Sequence, residues 1–315
     1  MPRIISCSRR TDIPAFYSRW LINRLRAGYC HVINPYNNRV VEVSLRPEDC
    51  LTLVFWTRHP APLVPHLDEL DARGYRYYFH YTLLGYEPPI HSHNPALEAG
   101  ITTFQRLSDR LSPDRVRWRY DPIVLSSATP RDYHLRQFER ITSRLDGYTR
   151  HCTFSFTSFY GKTTRNLAHI TRTAGITFSA PDLAQQPALV GELAAIAAAH
   201  GMTLNTCCDD LLAIDGVQKN RCVDPALVQA LVPDQSLDLK PQPTRKDCGC
   251  VASVDIGAYD TCLFGCAYCY ATNSRMIALK NHTAHDPEDS VLWRPKPLIG
   301  ADLREIVATV SVPQK

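Results

Sequence analysis

The sequence predicts an α/β protein: a (β/α) barrel or partial barrel of about six units, closed by a C-terminal cysteine-rich segment. Three observations lead there. Six short runs rich in β-branched and aromatic residues recur between residues 3 and 207. Helical periodicity fills most of the gaps between them. Most of the runs also end in polar or reactive residues, as strands do where a barrel enzyme builds its site.

The runs are RIISCS (3–8), LTLVFWT (51–57), YRYYFHYTLL (75–84), VRWRYDPIVL (116–125), CTFSFTSF (152–159) and MTLNTC (202–207). Between them, Phe16, Trp20, Leu21 and Leu25 share one helical face, as do Leu97, Ile101, Phe104, Leu107 and Leu111. Phe138, Ile141 and Leu145 form a third stripe, and 182–199 is rich in alanine. Gly74 and Gly201 stand where a helix end leads into a strand. Such alternation implies a parallel sheet covered by helices. A barrel and an open doubly wound sheet both satisfy it, and the strand-end residues favour the barrel. Residues 31–50 suggest an extra hairpin near the edge. The division expected is a barrel-like domain (1–231), a polar, proline-bearing linker or wrapping loop (232–247), a cysteine-rich segment completing the barrel mouth (248–280), and a tail (281–315) with a final helix near 300–309. No internal repeat is found.

The chain has 315 residues, 44% hydrophobic and 21% charged, which suits a soluble globular protein. A net charge of +4 is too weak to imply a nucleic-acid partner. No apolar run approaches the ~20 residues that cross a bilayer, and MPRIISCSRRTD has no signal-like apolar stretch. A cytoplasmic protein with no membrane partner is expected. Twelve cysteines are then a surplus, because a reducing cytosol disfavours disulfides. Cys7, Cys30, Cys50 and Cys152 are scattered and read as small buried hydrophobes. The others crowd between residues 207 and 269, and such crowding points to metal.

The densest stretch is TCLFGCAYCYA (261–271), with Cys262, Cys266 and Cys269. Thiolates are soft ligands that suit iron–sulfur clusters or zinc. Structural zinc favours paired cysteines and four protein ligands. Three close thiolates suit three irons of a [4Fe–4S] cube, leaving the fourth open. The motif C-x3-C-x-aromatic-C resembles the signature of radical S-adenosylmethionine enzymes. The resemblance implies that the three cysteines hold the cluster, that S-adenosylmethionine binds the open iron, and that Tyr268 packs against that cofactor. It also implies a partial (β/α) barrel, reductive cleavage to a 5′-deoxyadenosyl radical, and a reductant such as flavodoxin or ferredoxin. Two features depart from the pattern. The triplet follows all six strands rather than the first, and no Gly-Gly dipeptide is present. Circular permutation, with 252–261 as a late strand leading into the cluster loop, would reconcile the order; independent use of three cysteines is the alternative.

Across residues 4 to 273 the chain also resembles one uncharacterised bacterial family with a C-terminal cysteine cluster of this kind. The stretches SCSRRTDIPAFYSRW, VFWTRHP, GYRYYFHYTLLGY, VRWRYDPI and CGCVASVDIGAYDTCLFGCAYCYATN carry that likeness.

Cys207 (or Cys208), Cys222, Cys248 and Cys250 could close a second site, either another Fe–S cluster or zinc. Gly249 lets the Cys-Gly-Cys backbone fold tightly. Arg9, Arg10 and Asp12 follow the first strand, and Arg119 and Asp121 end another. These five are the candidate catalytic residues, with Arg9 or Arg10 suited to a cofactor carboxylate or substrate anion. The plainer reading has Asp12 capping a helix and pairing with Arg9, and Arg119–Asp121 as a structural ion pair. YGKTTRN (160–166) could cradle a phosphate or nucleotide through Lys162 and Arg165, but reads more simply as a solvated loop. Arg136, Arg140 and Arg144 share a helical stripe that could touch nucleic acid or merely face solvent. His80, His91 and His93 show no metal spacing, and the last two read as surface residues. The function expected is thus an iron–sulfur, radical-type enzyme on a small-molecule or macromolecular substrate. The rival is a non-catalytic metal-binding protein with an Arg-rich nucleic-acid face.

Overall fold

The computed structural model describes residues 2–180 and 182–307. Its strands are β1 (Arg3–Cys7), β2 (Tyr29–Ile33), β3 (Val40–Ser44), β4 (Cys50–Thr57), β5 (Tyr77–Thr82), β6 (Val116–Ile123), β7 (His151–Phe156), β8 (Thr203–Thr206), β9 (Val217–Lys219) and β10 (Val254–Asp255). Eight of them form one sheet in the order β10-β1-β4-β5-β6-β7-β8-β9, and every pair is parallel. The six expected runs are all strands, joined by β9 and β10. Among the described residues β9 and β10 are edges, and no pairing closes the sheet on itself. Tyr29–Ser44 does form a hairpin, but as a separate antiparallel pair outside the main sheet.

From β1 to β9 the strand order never reverses, so right-handed crossovers lay the helices along one face. Side chains alternate accordingly. Ile5, Phe55, Phe79, Trp118, Tyr120 and Phe154 pack with Trp20, Leu70, Phe104, Phe138 and Leu193 of the helical layer. The opposite face carries Ile4, Val54 and Tyr78, covered by Cys207, Cys222, Val223, Leu227, Val228, Cys250 and Val251. Polar residues share that inner face, among them Ser6, His80, Arg117 and Arg119, all buried. Gly74 and Gly201 have φ of +82° and +67°, the left-handed geometry expected at the ends of their helices.

The segment 232–247 wraps rather than hangs free. Gln242 N–H donates to Cys250 O (2.9 Å) and Ala252 N–H to Lys240 O (3.0 Å), while Leu237 and Leu239 pack on the inner-face cluster. The tail returns to the N-terminal half: Trp20 Nε1 donates to Asp289 O (2.9 Å), and Val291, Leu298 and Leu303 pack with Val40 of the hairpin. A short helix, Leu303–Ile306, lies where the last one was expected; residues 308 and 309 fall outside the described residues.

His134 is fully buried between Tyr120 Oη and Val124 O, both 3.0 Å away. The carbonyl can only accept, so Nε2 carries the proton and Nδ1 accepts from the tyrosine. Burial pushes its pKa down to about 4, against ~6.5 in an unfolded chain. Its contribution is therefore complete above pH ~6.5 and lost as pH falls toward 4, on the order of 3 kcal/mol. Urea midpoints at pH 7 and pH 4.5 should show a smaller acid loss for His134→Gln than for the parent; equal losses would refute the assignment.

Candidate metal centres at the strand ends

The cysteine triplet reaches the sheet through β10. That strand lies parallel to β1, with Ile5 opposite Val254 and Ser6 opposite Asp255. The Asp255 carboxylate accepts from Ser6 Oγ (2.6 Å), Ser8 Oγ (2.6 Å), Arg9 N (2.8 Å) and Gly257 N (3.0 Å). Gly257 is required by space, since a Cβ there would stand 2.1 Å from Ser8 Oγ. The loop then crosses the C-terminal ends of several strands. Tyr17 Oη donates to Thr261 O (2.7 Å), Ala267 N–H to Ile90 O (3.0 Å), Thr163 Oγ1 to Tyr268 O (3.3 Å) and Tyr270 Oη to Arg9 O (2.7 Å). Gly265, at φ +66°, makes the turn between Cys262 and Cys266. A bond from Asp260 N–H to Ala271 O (3.0 Å) closes the loop.

The three thiols are half-buried; burial raises the thiol pKa of Cys262 and of Cys269, so both favour the neutral form until a cation joins them, while several donors face the loop. Arg58 Nη2 donates to the buried Tyr268 Oη (2.7 Å), which leaves the hydroxyl proton to His91 Nε2 (2.5 Å). No carboxylate among the described residues forms an ion pair with Arg58. Burial works against its charge, but Cys266, Tyr268 and Cys262 outweigh that and raise its pKa. Asn94 Nδ2 lies 3.7 Å from Cys266 Sγ, and Ala271 N–H donates to Cys269 Sγ (3.3 Å). A cavity of about 310 Å³, lined by Arg58, Tyr86, His91, Asn94 and Leu97, opens beside the triplet. Three soft donors, a facing guanidinium and N–H groups on sulfur fit a thiolate-bound metal group.

Arg9, Arg10 and Asp12 are brought to this mouth. The Arg9 guanidinium lies over Trp56 (5.0 Å) and donates to Ser253 Oγ (2.8 Å). That of Arg10 lies over Tyr259 (5.3 Å), 4.0 Å from Asp255. Asp12 does cap helix Ile13–Phe16, accepting from Ala15 N (3.0 Å). Its expected pairing with Arg9 is not found; its other oxygen accepts from Arg58 N (2.7 Å). Burial pushes the Asp12 carboxyl up to about 7, opposed by those N–H bonds.

Arg119 and Asp121 pair with each other, but deeper, against the other cysteines. Cys222 is held by four side chains. Tyr78 Oη and His80 Nε2 donate to its carbonyl (both 2.7 Å), and Arg119 Nη1 (3.1 Å) and Asn220 Nδ2 (2.9 Å) to its sulfur. Cys207 and Cys250 are buried in the same cluster, with Cys208 and Cys248 packed against it. Cys207 Sγ lies 3.8 Å from Cys208 Sγ and 3.5 Å from Arg245 Nη2. Val223 N–H faces Cys250 Sγ (3.4 Å), and Thr244 Oγ1 faces Cys248 Sγ (3.5 Å). A Cβ at Gly249 would meet Asn220 O at 3.2 Å, so the Cys-Gly-Cys turn is tight as expected. Five sulfurs therefore gather where four were expected. Among the described residues, however, no group of three or more His, Cys, Asp or Glu side chains is arranged to grip a metal ion.

Residues 4–271 match the family described as Domain of unknown function (DUF1848). The chain belongs to this family. The DUF1848 match runs from β1 through the triplet loop and stops two residues beyond Cys269. No curated protein and no solved structure matches the chain. No described helix is long and apolar enough to cross a membrane.

Within the DUF1848 region, two sequence readings need correction. His91 is buried rather than on the surface, because the loop around it folds over the triplet and meets Tyr268; His93 is exposed as expected. YGKTTRN is not a loop, since Gly161 opens helix Gly161–Ala174. The Arg stripe faces solvent, as the plainer reading expected, with Arg140 and Arg144 each 2.8 Å from Glu98. Arg58 and Asn94 escaped notice altogether, although Arg58 follows β4 much as Arg9 follows β1.

Proposed function

We propose that the chain is an iron–sulfur enzyme of radical S-adenosylmethionine type, with a [4Fe–4S] cluster on Cys262, Cys266 and Cys269. The observation that carries this reading is the parallel pairing of β10 with β1. The strand that is late in sequence stands beside the first, so its cluster loop crosses the strand ends as in a circularly permuted barrel enzyme. The unreversed strand order supports a partial barrel with its site at those ends.

When bound, the cluster and S-adenosylmethionine would use one electron from a reductant such as flavodoxin or ferredoxin to break a sulfonium C–S bond. That cleavage would supply methionine and a 5′-deoxyadenosyl radical able to take a hydrogen atom from a substrate. The chain's own residues prepare the place. Arg58 balances thiolate charge and, with His91, locks the ring of Tyr268. Asn94 donates toward Cys266. Arg9 and Arg10 offer guanidinium groups suited to a carboxylate. Asp12 fixes the turn after β1 by holding two backbone N–H groups. Arg119 and Asp121 line the interior between the two cysteine groups. Cys207, Cys222, Cys248 and Cys250 would hold a second Fe–S cluster or a zinc ion, with Arg119 and Asn220 donating to the Cys222 sulfur. The non-catalytic, nucleic-acid-binding alternative loses support because Arg140 and Arg144 are paired with Glu98.

The test is anaerobic reconstitution with iron and sulfide, followed by S-adenosylmethionine and dithionite. Formation of 5′-deoxyadenosine is expected. A chain that takes up only zinc, or binds the cofactor and never cleaves it, would refute the reading.

A further inference from the structure

We propose that the cleft between Tyr160 and Tyr270 binds a nucleotide-type ligand, a phosphate joined to an aromatic base. The cleft has a volume of about 620 Å³ and is lined by Tyr160, Gly161, Lys162, Arg165 and Tyr270. Its two rings stand 6.5 Å apart at 63° and are about half exposed, at 49% and 50%. Exposed aromatic faces of this kind are what a base stacks on, at ~1–3 kcal/mol per base.

The charges point to the other half of the ligand. Lys162 and Arg165 lie three apart on helix Gly161–Ala174, so they share a face. Neither makes a hydrogen bond or an ion pair with any described residue. Several cations elsewhere, such as Arg26, Arg110 and Arg140, do have a carboxylate partner, whereas these two stand together beside the rings without one. No acidic residue stands in the first turn of the helix to answer them. Two unanswered cations beside two rings favour an anionic ester with an aromatic end over an acidic peptide, which would leave the rings unused.

The cleft is anchored to the triplet loop. Thr163, from the same helical turn, donates to Tyr268 O (3.3 Å), and Tyr270 is tied to Arg9 O (2.7 Å). A ligand seated there lies at the mouth of the proposed cluster site. S-adenosylmethionine carries no phosphate, so phosphate dependence separates this ligand from that cofactor. The cleft does not need the cluster, and the inference goes beyond the proposed function.

The test titrates the full chain, as purified and as a Cys262→Ala/Cys266→Ala/Cys269→Ala variant, with ATP, adenosine, inorganic pyrophosphate and an oligothymidylate, by calorimetry in EDTA. ATP or the oligonucleotide should bind at least about tenfold more tightly than adenosine or pyrophosphate. The Lys162→Glu/Arg165→Glu variant should lose about tenfold or more, Tyr160→Ala should also weaken binding, and the cysteine variant should bind like the parent. Tighter binding of the oligonucleotide would identify a strand as the source; tighter ATP would identify a free nucleotide. The idea is overturned if neither ATP nor oligonucleotide binds, if pyrophosphate binds as well as ATP, or if the charge-reversed chain, still folded by circular dichroism, binds unchanged.

Discussion

Cys269→Ala, reconstituted anaerobically beside the parent, is expected to lose about four irons per chain and all 5′-deoxyadenosine formation. A cluster on three thiolates already has one iron without a protein ligand. Removing Cys269 leaves two thiolates, and the loop offers no substitute because its neighbours Tyr268 and Tyr270 are engaged elsewhere. Cys222→Ser is the matched control. Serine keeps an acceptor for Arg119 and Asn220, avoiding two orphaned donors at ~1–3 kcal/mol each. It should lose the metal of the second group and keep the iron of the triplet. If Cys269→Ala retains its full iron and still cleaves the cofactor, the triplet is not the cluster site. If both variants lose all metal together, the two groups are not separate centres.

The strands were readable because their chemistry is local. Tyr77, Phe79 and Tyr81 face the helices while Tyr78 and His80 face inward, and that alternation leaves a run no helix would carry. β9 escaped because three residues, two of them polar and exposed, hold no periodicity. The helix at Gly161 escaped because Tyr160 caps it with no side-chain bond, so the usual Ser, Thr or Asp start signal is missing. Arg58 and His91 were unreadable for a different reason. Their roles depend on Tyr268, which is 210 and 177 residues away in the chain. The spacing of the triplet suggested a metal centre, but its surroundings exist only once the loop is folded across the strand ends.

That placement rests on Asp255, and Asp255→Ala is expected to destabilise the chain by about 3–5 kcal/mol. Ser6 and Ser8 are buried, and both hydroxyls donate to this carboxylate, as do the N–H groups of Arg9 and Gly257. Alanine removes the carboxylate that all four groups share, leaving only the serine oxygens to accept. β10 is only two residues long, so its ladder to β1 cannot hold the junction alone. Asp255→Asn keeps one accepting oxygen and should cost about half as much. Gly257→Val reaches the same joint from the other side, because its side chain would collide with Ser8. All three should speed proteolysis within residues 256–273 in proportion to their loss of stability in urea. An alanine variant within about 1 kcal/mol of the parent, with the loop equally resistant, would mean that other contacts hold it at the strand ends. Tyr17 and Thr163, whose side-chain hydroxyls donate to the loop backbone, would then be the residues to change.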